Sequence, residues 1–276
     1  MPAKLYIALS LLVLLGGCSV FPTNIQALIS DQEKKEYSQS LEIAGIAHRS
    51  NNPDAAVDIY RTMLKKNPED EKILFELAKT YLGSGMALDA IGILEELEEK
   101  NPENTDLLVS LGRAHLFLRR PGVAEIFFTR ALQISPDNRA AIMGDAVSKD
   151  MLGQHPAARK LFNKLLARDP RDTEIRNNLA LSYLIEGKPE EAVRMLEKIA
   201  FSREATLTVR QNLALAYGLA GNGEAAHRVS RMYLDSAATE NNLRFYEMLR
   251  QAGDKDSILQ LLVGPAEPVS HTGAKR

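Results

Sequence analysis

Small apolar residues recur along the chain with a period of 34 residues. When the chain is divided into units that start at Tyr37 and every 34 residues after it, the eighth and twentieth positions carry alanine or glycine in all six units. Repeats of this length indicate a stacked array of similar elements rather than one globular core. These residues are Ala44, Ala78, Gly112, Ala146, Ala180 and Ala214 at the eighth position, and Ala56, Ala90, Ala124, Ala158, Ala192 and Ala226 at the twentieth.

Each unit has the pattern of two amphipathic helices. Positions 4, 7, 8 and 11 follow the spacing of one helix face, and positions 20, 24 and 27 form a second stripe. Small residues at positions 8 and 20 would let the two helices approach closely, with bulkier apolar residues at positions 7 and 24 around that contact. Those bulkier residues are Ile43, Leu77, Leu111, Leu179 and Leu213 at position 7, and Tyr60, Leu94, Phe128, Phe162 and Leu196 at position 24.

Glycine and proline mark the predicted ends of the helices. Glycine is favoured after a helix because it adopts the left-handed conformation without strain, and it occupies position 15 of four units. Proline at position 32 should end the second helix. The fifth and sixth units lack this proline, and their ends should therefore be less sharply defined. The residues are Gly85, Gly153, Gly187 and Gly221, and Pro68, Pro102, Pro136 and Pro170.

The segments that flank the repeats are predicted to be short helices and a tail. Ser30 and Glu33 have the spacing of a capping box, so the first helix should begin near Asp31. Apolar-periodic segments over 241–263 predict capping helices that cover the last apolar face of the array. Proline and small polar residues over 264–276 predict a flexible tail.

The N-terminus has the pattern of a secretory signal. Lys4 is followed by an apolar run over 5–15, which is shorter than the about 20 residues that span a bilayer. A basic start, a short apolar stretch and a small-residue exit are typical of a signal peptide. The alternative, a buried N-terminal core helix, is disfavoured.

The residues Leu15, Gly16, Gly17 and Cys18 resemble the lipobox of bacterial lipoproteins. This resemblance implies a lipoprotein signal peptide over 1–17 and lipidation, for instance with palmitate, of Cys18. Residues 18–36 would then form a tether and the start of the first helix. Because Ser19 stands where an inner-membrane lipoprotein would carry Asp, the resemblance implies the periplasmic face of the outer membrane.

Charge and composition exclude several kinds of chemistry. The chain has 34 basic and 36 acidic residues, and its formal charge of −2 forms no concentrated basic face for nucleic acid. One cysteine cannot form an internal disulfide or a thiolate metal cluster. The five histidines fall in different segments without metal-ligand spacing, and His115 is predicted to be a core residue. The sequence therefore predicts no metal, no cofactor and no catalytic residues.

The fourth unit departs from the pattern at two core positions. Asp145 and Lys149 stand at positions 7 and 11, where apolar residues are expected. Four residues apart on a helix, they can form an ion pair worth about 0.2–0.5 kcal/mol. We interpret this departure as a local rotation of the helix rather than as a functional site.

Together, these positions resemble the tetratricopeptide repeat (TPR) over about 37–240. The resemblance implies an all-α, right-handed α-solenoid of six TPR helix pairs with C-terminal capping helices. It also implies a peptide-binding groove formed by positions 2, 5, 6, 9 and 12 of the first helices. Leu41 and Gly45 replace the Lys and Asn of the carboxylate clamp, which disfavours capture of a C-terminal carboxylate. The groove residues carried over are Lys72, Phe75, Lys79, Val109, Arg113, Asn177, Asn178, Gln211 and Asn212.

The last helix pairs, over 209–234 and 240–249, resemble the C-terminal signature of the TadD family of lipoproteins of the Flp, or tight-adherence, pilus machinery. This resemblance implies a non-enzymatic scaffold that assists assembly of a type IVb pilus or its outer-membrane secretin. Protein partners and a lipid-anchored membrane contact are expected, without nucleic acid or a small-molecule substrate. Two alternatives stay open, a pilotin of type IVa pili and a general envelope-assembly adaptor.

Overall fold

The computed structural model describes residues 23–50, 52–253 and 258, with the side chains from residue 31 onward. The described residues contain α-helices and no strand, and they form two compact units, up to Pro68 and from Glu69. None of the described helices combines the length and the apolar character that crossing a membrane requires. Cys18, the predicted signal peptide and the predicted tail lie outside the described residues.

The first unit consists of α1 (Thr23–Arg49) and α2 (Pro53–Lys66), which pack against each other. Helix α1 begins eight residues before the predicted start, so the capping-box prediction is wrong. Ser30 lies within the helix, and no proline or glycine interrupts the segment before it. Ile43 was expected in the core but is 56% exposed. No helix precedes α1 in the described residues to cover it.

The second unit contains the other five helix pairs and a final helix. Each helix packs against the next one, and the first helices of successive pairs also pack against each other. This arrangement confirms the predicted all-α array for the five pairs of this unit, and α1 with α2 form the sixth predicted helix pair. The helices are α3 (Glu71–Gly83), α4 (Ala87–Lys100), α5 (Thr105–Phe117), α6 (Pro121–Ile134), α7 (Arg139–Met151), α8 (His155–Leu166), α9 (Thr173–Glu186), α10 (Pro189–Ala200), α11 (Leu207–Leu219), α12 (Gly223–Ser230) and α13 (Ser236–Ala252).

The small residues at positions 8 and 20 lie where the helices of a pair meet. All eleven alanines at these positions are completely buried, and Gly112 is buried as well. The five bulky residues at position 24 are at most 1% exposed. Close packing of small against large side chains accounts for the core of each pair. The spacing observed in the sequence is therefore confirmed as a packing pattern.

In the compact unit from Glu69 onward, polar side chains cap the first helix of every repeat at the same place, position 34 of the preceding repeat. The side-chain oxygen of position 34 accepts a hydrogen bond from the backbone N–H three residues later, over 2.9–3.3 Å. Each such cap contributes about 1 kcal/mol to helix stability. The caps are Asp70, Asn104, Asn138, Asp172 and Thr206.

The turn between the two helices of a unit uses a left-handed residue at position 15. The predicted glycines have φ between 74° and 87°, which confirms their role. In the third repeat, which starts at Thr105, Arg119 takes the same conformation, with φ of 56°. A side chain at positive φ costs about 1 kcal/mol relative to glycine. The turn geometry is thus kept in the third unit even though its sequence does not favour it.

Arg119→Gly is expected to raise the free energy of unfolding by about 1 kcal/mol, because glycine removes the strain at this turn. Urea unfolding followed by circular dichroism measures the change. Gly153→Arg is the matched control: the space around the missing Cβ is open, but φ is 74°, so we expect a loss of about 1 kcal/mol. Equal stabilities for Arg119→Gly and the unchanged chain would contradict the assignment of strain.

The array ends in a helix that covers the last pair. Helix α12 stops at Ser230, and Asp235 caps α13, whose start at Ser236 lies five residues before the predicted boundary. Tyr246 of α13 lies against Gly218 of α11, where an added Cβ would lie 2.5 Å from the Cβ of Tyr246. Ile258 is buried in the same apolar cluster. This part of the predicted capping segment therefore covers the final apolar face.

Candidate functional site

In the compact unit from Glu69 onward, the first helices of the five repeats form one continuous surface, which we call the first-helix wall. It consists of positions 2, 5, 6, 9 and 12 of α3, α5, α7, α9 and α11, which pack side by side in this order. The predicted groove residues differ in how far they reach solvent. Lys72, Lys79, Arg113 and Gln211 are exposed, Phe75 and Asn178 are half-buried, and Val109, Asn177 and Asn212 are buried.

Two of the predicted asparagines bind each other. Nδ2 of Asn212 donates a hydrogen bond of 2.9 Å to Oδ1 of Asn177, which joins α11 to α9. The two side chains are 8% and 7% exposed, and buried amides need such partners. The pair therefore holds the wall together and offers little surface to a partner.

Asn178 joins α9 to the preceding first helix. Its Nδ2 lies 3.3 Å from Sδ of Met143 in α7. Met143 and Val147 are half-buried at positions 5 and 9 of the fourth unit, so they belong to the wall although neither was singled out from the sequence. The 34-residue spacing that located the other members would have located both of them.

The start of the wall combines an aromatic ring with a cation. Lys79 Nζ lies 5.3 Å from the centre of the Phe75 ring and 2.8 Å from Oε1 of Glu76. Val109 belongs to the apolar cluster around Phe128 and is only 7% exposed. Phe75 and the exposed Arg113 therefore present more contact surface to a partner than Val109 does.

The predicted ion pair of the fourth unit is confirmed. Lys149 Nζ lies 3.2 Å from Oδ1 of Asp145, outside hydrogen-bond angles, and also donates a hydrogen bond to Glu125 of α6. Ile142 and Ala146, at the core positions on either side of Asp145, are at most 1% exposed. The helix therefore keeps the register of the other units, and the predicted local rotation is wrong.

Burial and charge change the pKa values of this pair. Burial raises the pKa of the Asp145 carboxyl, while Lys149 acts in the opposite direction. Burial acts to lower the pKa of Lys149, but its interactions with the Glu125 and Asp145 carboxylates outweigh this effect and raise it. Lys149 thus remains charged and pairs with two carboxylates at a site where other repeats carry apolar side chains.

Ser182, Asp150 and His155 come together although they are distant in sequence. Ser182 Oγ donates a 2.8 Å hydrogen bond to Oδ1 of Asp150, and His155 Nδ1 lies 3.0 Å from the same oxygen. In a nucleophilic triad the histidine stands between the serine and the carboxylate. Here both groups bind the carboxylate, so the imidazole is not placed to take the serine proton.

This polar cluster instead connects two repeats. Arg159 of α8 pairs with Glu186 of α9 at 2.8 Å and lies over the ring of Tyr183 at 4.5 Å. Burial raises the pKa of Asp150, opposed by the hydrogen bonds from His155 and Ser182. The sequence did not indicate this cluster, since its members have no common spacing.

His115 is a core residue, as predicted. It is 6% exposed and stacks on Phe127 with ring centres 5.4 Å apart. Burial, followed by the charge of Arg120, lowers its pKa and favours the neutral ring. In the part of the chain that the structure describes, no three His, Cys, Asp or Glu side chains form a group that could hold a metal ion.

Comparison with known sequence families agrees with the architecture. Two family models, each described as tetratricopeptide repeat, match the chain. One matches residues 47–107 and 151–206, and the other matches residues 105–138. Together they cover more than half of the chain.

Solved structures of similar fold belong to other repeat proteins. A tetratricopeptide repeat protein from Parabacteroides merdae is 22% identical, with a TM-score of 0.65 over 76% of this chain and 84% of its own. TTC0263 from Thermus thermophilus is 24% identical, with a TM-score of 0.58 over 65% and 97%. PilW, a type IV pilus biogenesis factor, is 18% identical, with a TM-score of 0.59 over 79% and 98%. At these identities the likeness concerns the fold.

A curated relative shares one segment with this chain. The uncharacterized protein y4yS of Sinorhizobium fredii is 36% identical over 73 residues. The match covers 26% of this chain and 40% of that protein, so this chain spans less than half the length of its relative.

Proposed function

The chain belongs to the tetratricopeptide-repeat family, and from this premise we propose that it is a non-enzymatic scaffold whose first-helix wall binds a protein partner. The observation that carries this proposal is the continuous packing of five first helices. Repeat arrays use such extended surfaces for binding. The wall combines cations, amides and a half-buried aromatic ring, which suits an extended or helical peptide segment.

The proposed location is the periplasmic face of the outer membrane, with Cys18 as the lipid attachment point. The lipobox resemblance of residues 15–18 supports this anchor. We further propose that the scaffold assists assembly of a Flp/Tad type IVb pilus, with the secretin as the partner. This choice rests on the resemblance of residues 209–249 to the TadD family.

A type IVa pilotin is the second candidate. The PilW pilus biogenesis factor shares the fold over 79% of this chain, which favours a role in a pilus system without selecting one. Co-isolation with a type IVa secretin instead of the Flp secretin would select this candidate.

The wall is tested by capturing the full chain from envelope extracts of its own host and quantifying the secretin by mass spectrometry. Phe75→Ala with Arg113→Ala removes an aromatic ring and a cation from the wall. We expect secretin recovery to fall by about tenfold, since a few aromatic and Arg residues dominate most interfaces. The helical circular dichroism signal should not change.

The matched control is Phe201→Ala with Lys198→Ala, which removes the same chemistry from exposed positions outside the wall. It should leave recovery unchanged, and equal losses in both double variants would contradict the role of the wall. A Cys18→Ser arm separates the anchor: it should lose palmitate labelling and membrane fractionation but keep the dependence of capture on Phe75. If Cys18→Ser were still labelled with palmitate, the lipobox assignment would be contradicted, but the proposed role of the wall would not.

A further inference from the structure

Three consecutive second helices differ sharply in charge. Helix α4 contains five acidic residues and one basic residue, α6 contains one of each, and α8 contains three basic residues and no acidic one. The formal charges are thus −4, 0 and +3, with histidine counted as neutral. The acidic and basic helices lie on either side of an uncharged one in the order of the array.

The exposed faces of these helices show the same asymmetry. On α4 the exposed side chains include four acids, and on α8 they include Lys160 and Lys164. The two charges of α6 are directed at neighbouring helices, because Glu125 binds Lys149 and Arg130 lies 2.5 Å from Glu98. The four exposed acids of α4 are Asp89, Glu95, Glu96 and Glu99.

The solvent face of α6 is uncharged and largely apolar. Ile126 is 59% exposed, Ile134 44% and Val123 39%, with exposed Thr129 and Gln133 between them. We call these five residues the outer strip. Single exposed apolar residues are ordinary, but three of them on one uncharged helix face between charged helices fit the apolar centre and polar rim of an interaction surface.

We propose that the outer strip is the centre of a dimer contact with a second copy of this chain, around a two-fold axis that runs along α6. Such an axis places the acidic α4 of one copy opposite the basic α8 of the other, on both sides of the contact. An axis perpendicular to α6 would place α4 against α4 and α8 against α8. Complementary charge therefore selects the first arrangement.

The register of the repeats supports this arrangement. Glu96 and Lys164 occupy the same position, the twenty-sixth, in the second and fourth repeats. With an axis along α6 the helices of the two copies run parallel, so these side chains meet at the same height. Within one copy Glu96 pairs with Lys100 at 3.2 Å, while Lys164 lies 3.7 Å from Asp137 and donates a hydrogen bond of 3.2 Å to the backbone oxygen of Pro136. Exposed contacts of this kind contribute little to stability, so both side chains can turn to the second copy at small cost.

The size of the surface fits a modest interface. Seven residues of α4, six of α6 and five of α8 are exposed, close to the about 20 residues per side of a standard interface.

The first-helix wall belongs to other helices and stays open in such a dimer. Each dimer would then present two walls, which increases the avidity for a multimeric partner. The contact does not depend on what the walls bind.

Sedimentation velocity of the detergent-solubilised full chain over a concentration series tests the proposal. We expect a dimer that Ile126→Asp weakens about tenfold or more, since it places a charge at the centre of the contact. Leu207→Asp is the matched control, because Leu207 is a similarly exposed aliphatic residue (51%) outside the strip. It should leave the dimer unchanged. A chain that stays monomeric at about 100 µM, a low-affinity limit, overturns the proposal.

Charge exchange tests the direction of the axis. Glu96→Lys and Lys164→Glu should each weaken the dimer several-fold, and the double variant should restore it, because acid and base then meet again. A double variant weaker than both single variants overturns the proposed axis.

In a Cys18→Ser background, Ile126→Cys should form a disulfide between copies on oxidation, whereas Leu207→Cys should not. Equal cross-linking at both positions would also overturn it.

Discussion

Phe128→Ala is expected to lower the free energy of unfolding by about 3–5 kcal/mol, the range for truncating a fully buried aromatic residue. The Phe128 ring is completely buried. It lies between two glycines, Gly112 of α5 and Gly144 of α7, and an added Cβ at either position would overlap the ring. The cavity left by alanine would therefore open where three helices meet. Urea unfolding followed by circular dichroism measures the loss, and Phe117→Ala, at a 46% exposed ring, should cost far less.

A second substitution shows whether the ring itself excludes side chains at Gly144. In the unchanged chain Gly144→Ala should cost about 1–3 kcal/mol, because its Cβ overlaps the ring. In the Phe128→Ala background the same change should stabilise by about 1 kcal/mol, since alanine is the better helix former. Gly92→Ala, in open space on α4, should stabilise in both backgrounds. If Gly144→Ala had the same sign in both, the close approach would not explain the glycine.

Lys149→Met is expected to lower the free energy of unfolding by about 3 kcal/mol, because it leaves two carboxylates without their shared cation. The Asp145 side chain is 9% exposed and that of Glu125 29%, so water replaces the lost ion pair poorly. Urea unfolding at neutral pH measures the loss. Lys198→Met, at an exposed position of α10, is the matched control and should change stability by less than about 0.5 kcal/mol.

Restoring the apolar pattern of the other repeats should reverse most of this loss. Leucine occupies position 7 in four of the other repeats and tyrosine occupies position 11 in three of them, so the corresponding double variant is Asp145→Leu with Lys149→Tyr. Well-packed apolar residues often equal or exceed a buried ion pair in stability. Because Glu125, 29% exposed, still lacks its cation in this variant, we expect the double variant to recover most but not all of the stability lost in Lys149→Met. A double variant less stable than Lys149→Met would show that the charged cluster is required for packing in this repeat.

The repeat architecture could be predicted because its signals are local and recur. Alanine at positions 8 and 20 sets how closely two neighbouring helices approach, and glycine at position 15 satisfies a backbone requirement of one turn. Arg119 shows the limit of this reasoning, since the fold imposes the left-handed turn on an unfavourable residue. The ends were predicted less well, because the start of α1 and the Asp235 cap of α13 do not repeat.

The candidate site could be predicted only as a set of positions. Counting along the repeats located the wall and would also have located Met143. Counting could not show that Asn177 and Asn212 bind each other, or that Val109 belongs to the core around Phe128. Those outcomes depend on side chains of neighbouring repeats, which the position of a residue in its own repeat does not specify.

By itself, the sequence determined that this protein is an array of helix pairs, because spacing and residue size decide how each helix contacts the next one. Only the tertiary structure decided which polar side chains the wall uses internally and which remain open. It also decided that Ser182, His155 and Asp150 form one structural cluster, and that α6 presents an uncharged strip between opposite charges. The reason is physical: partners across repeats are selected by distance and direction in space, and residues 32 apart in the chain can share a hydrogen bond of 2.8 Å.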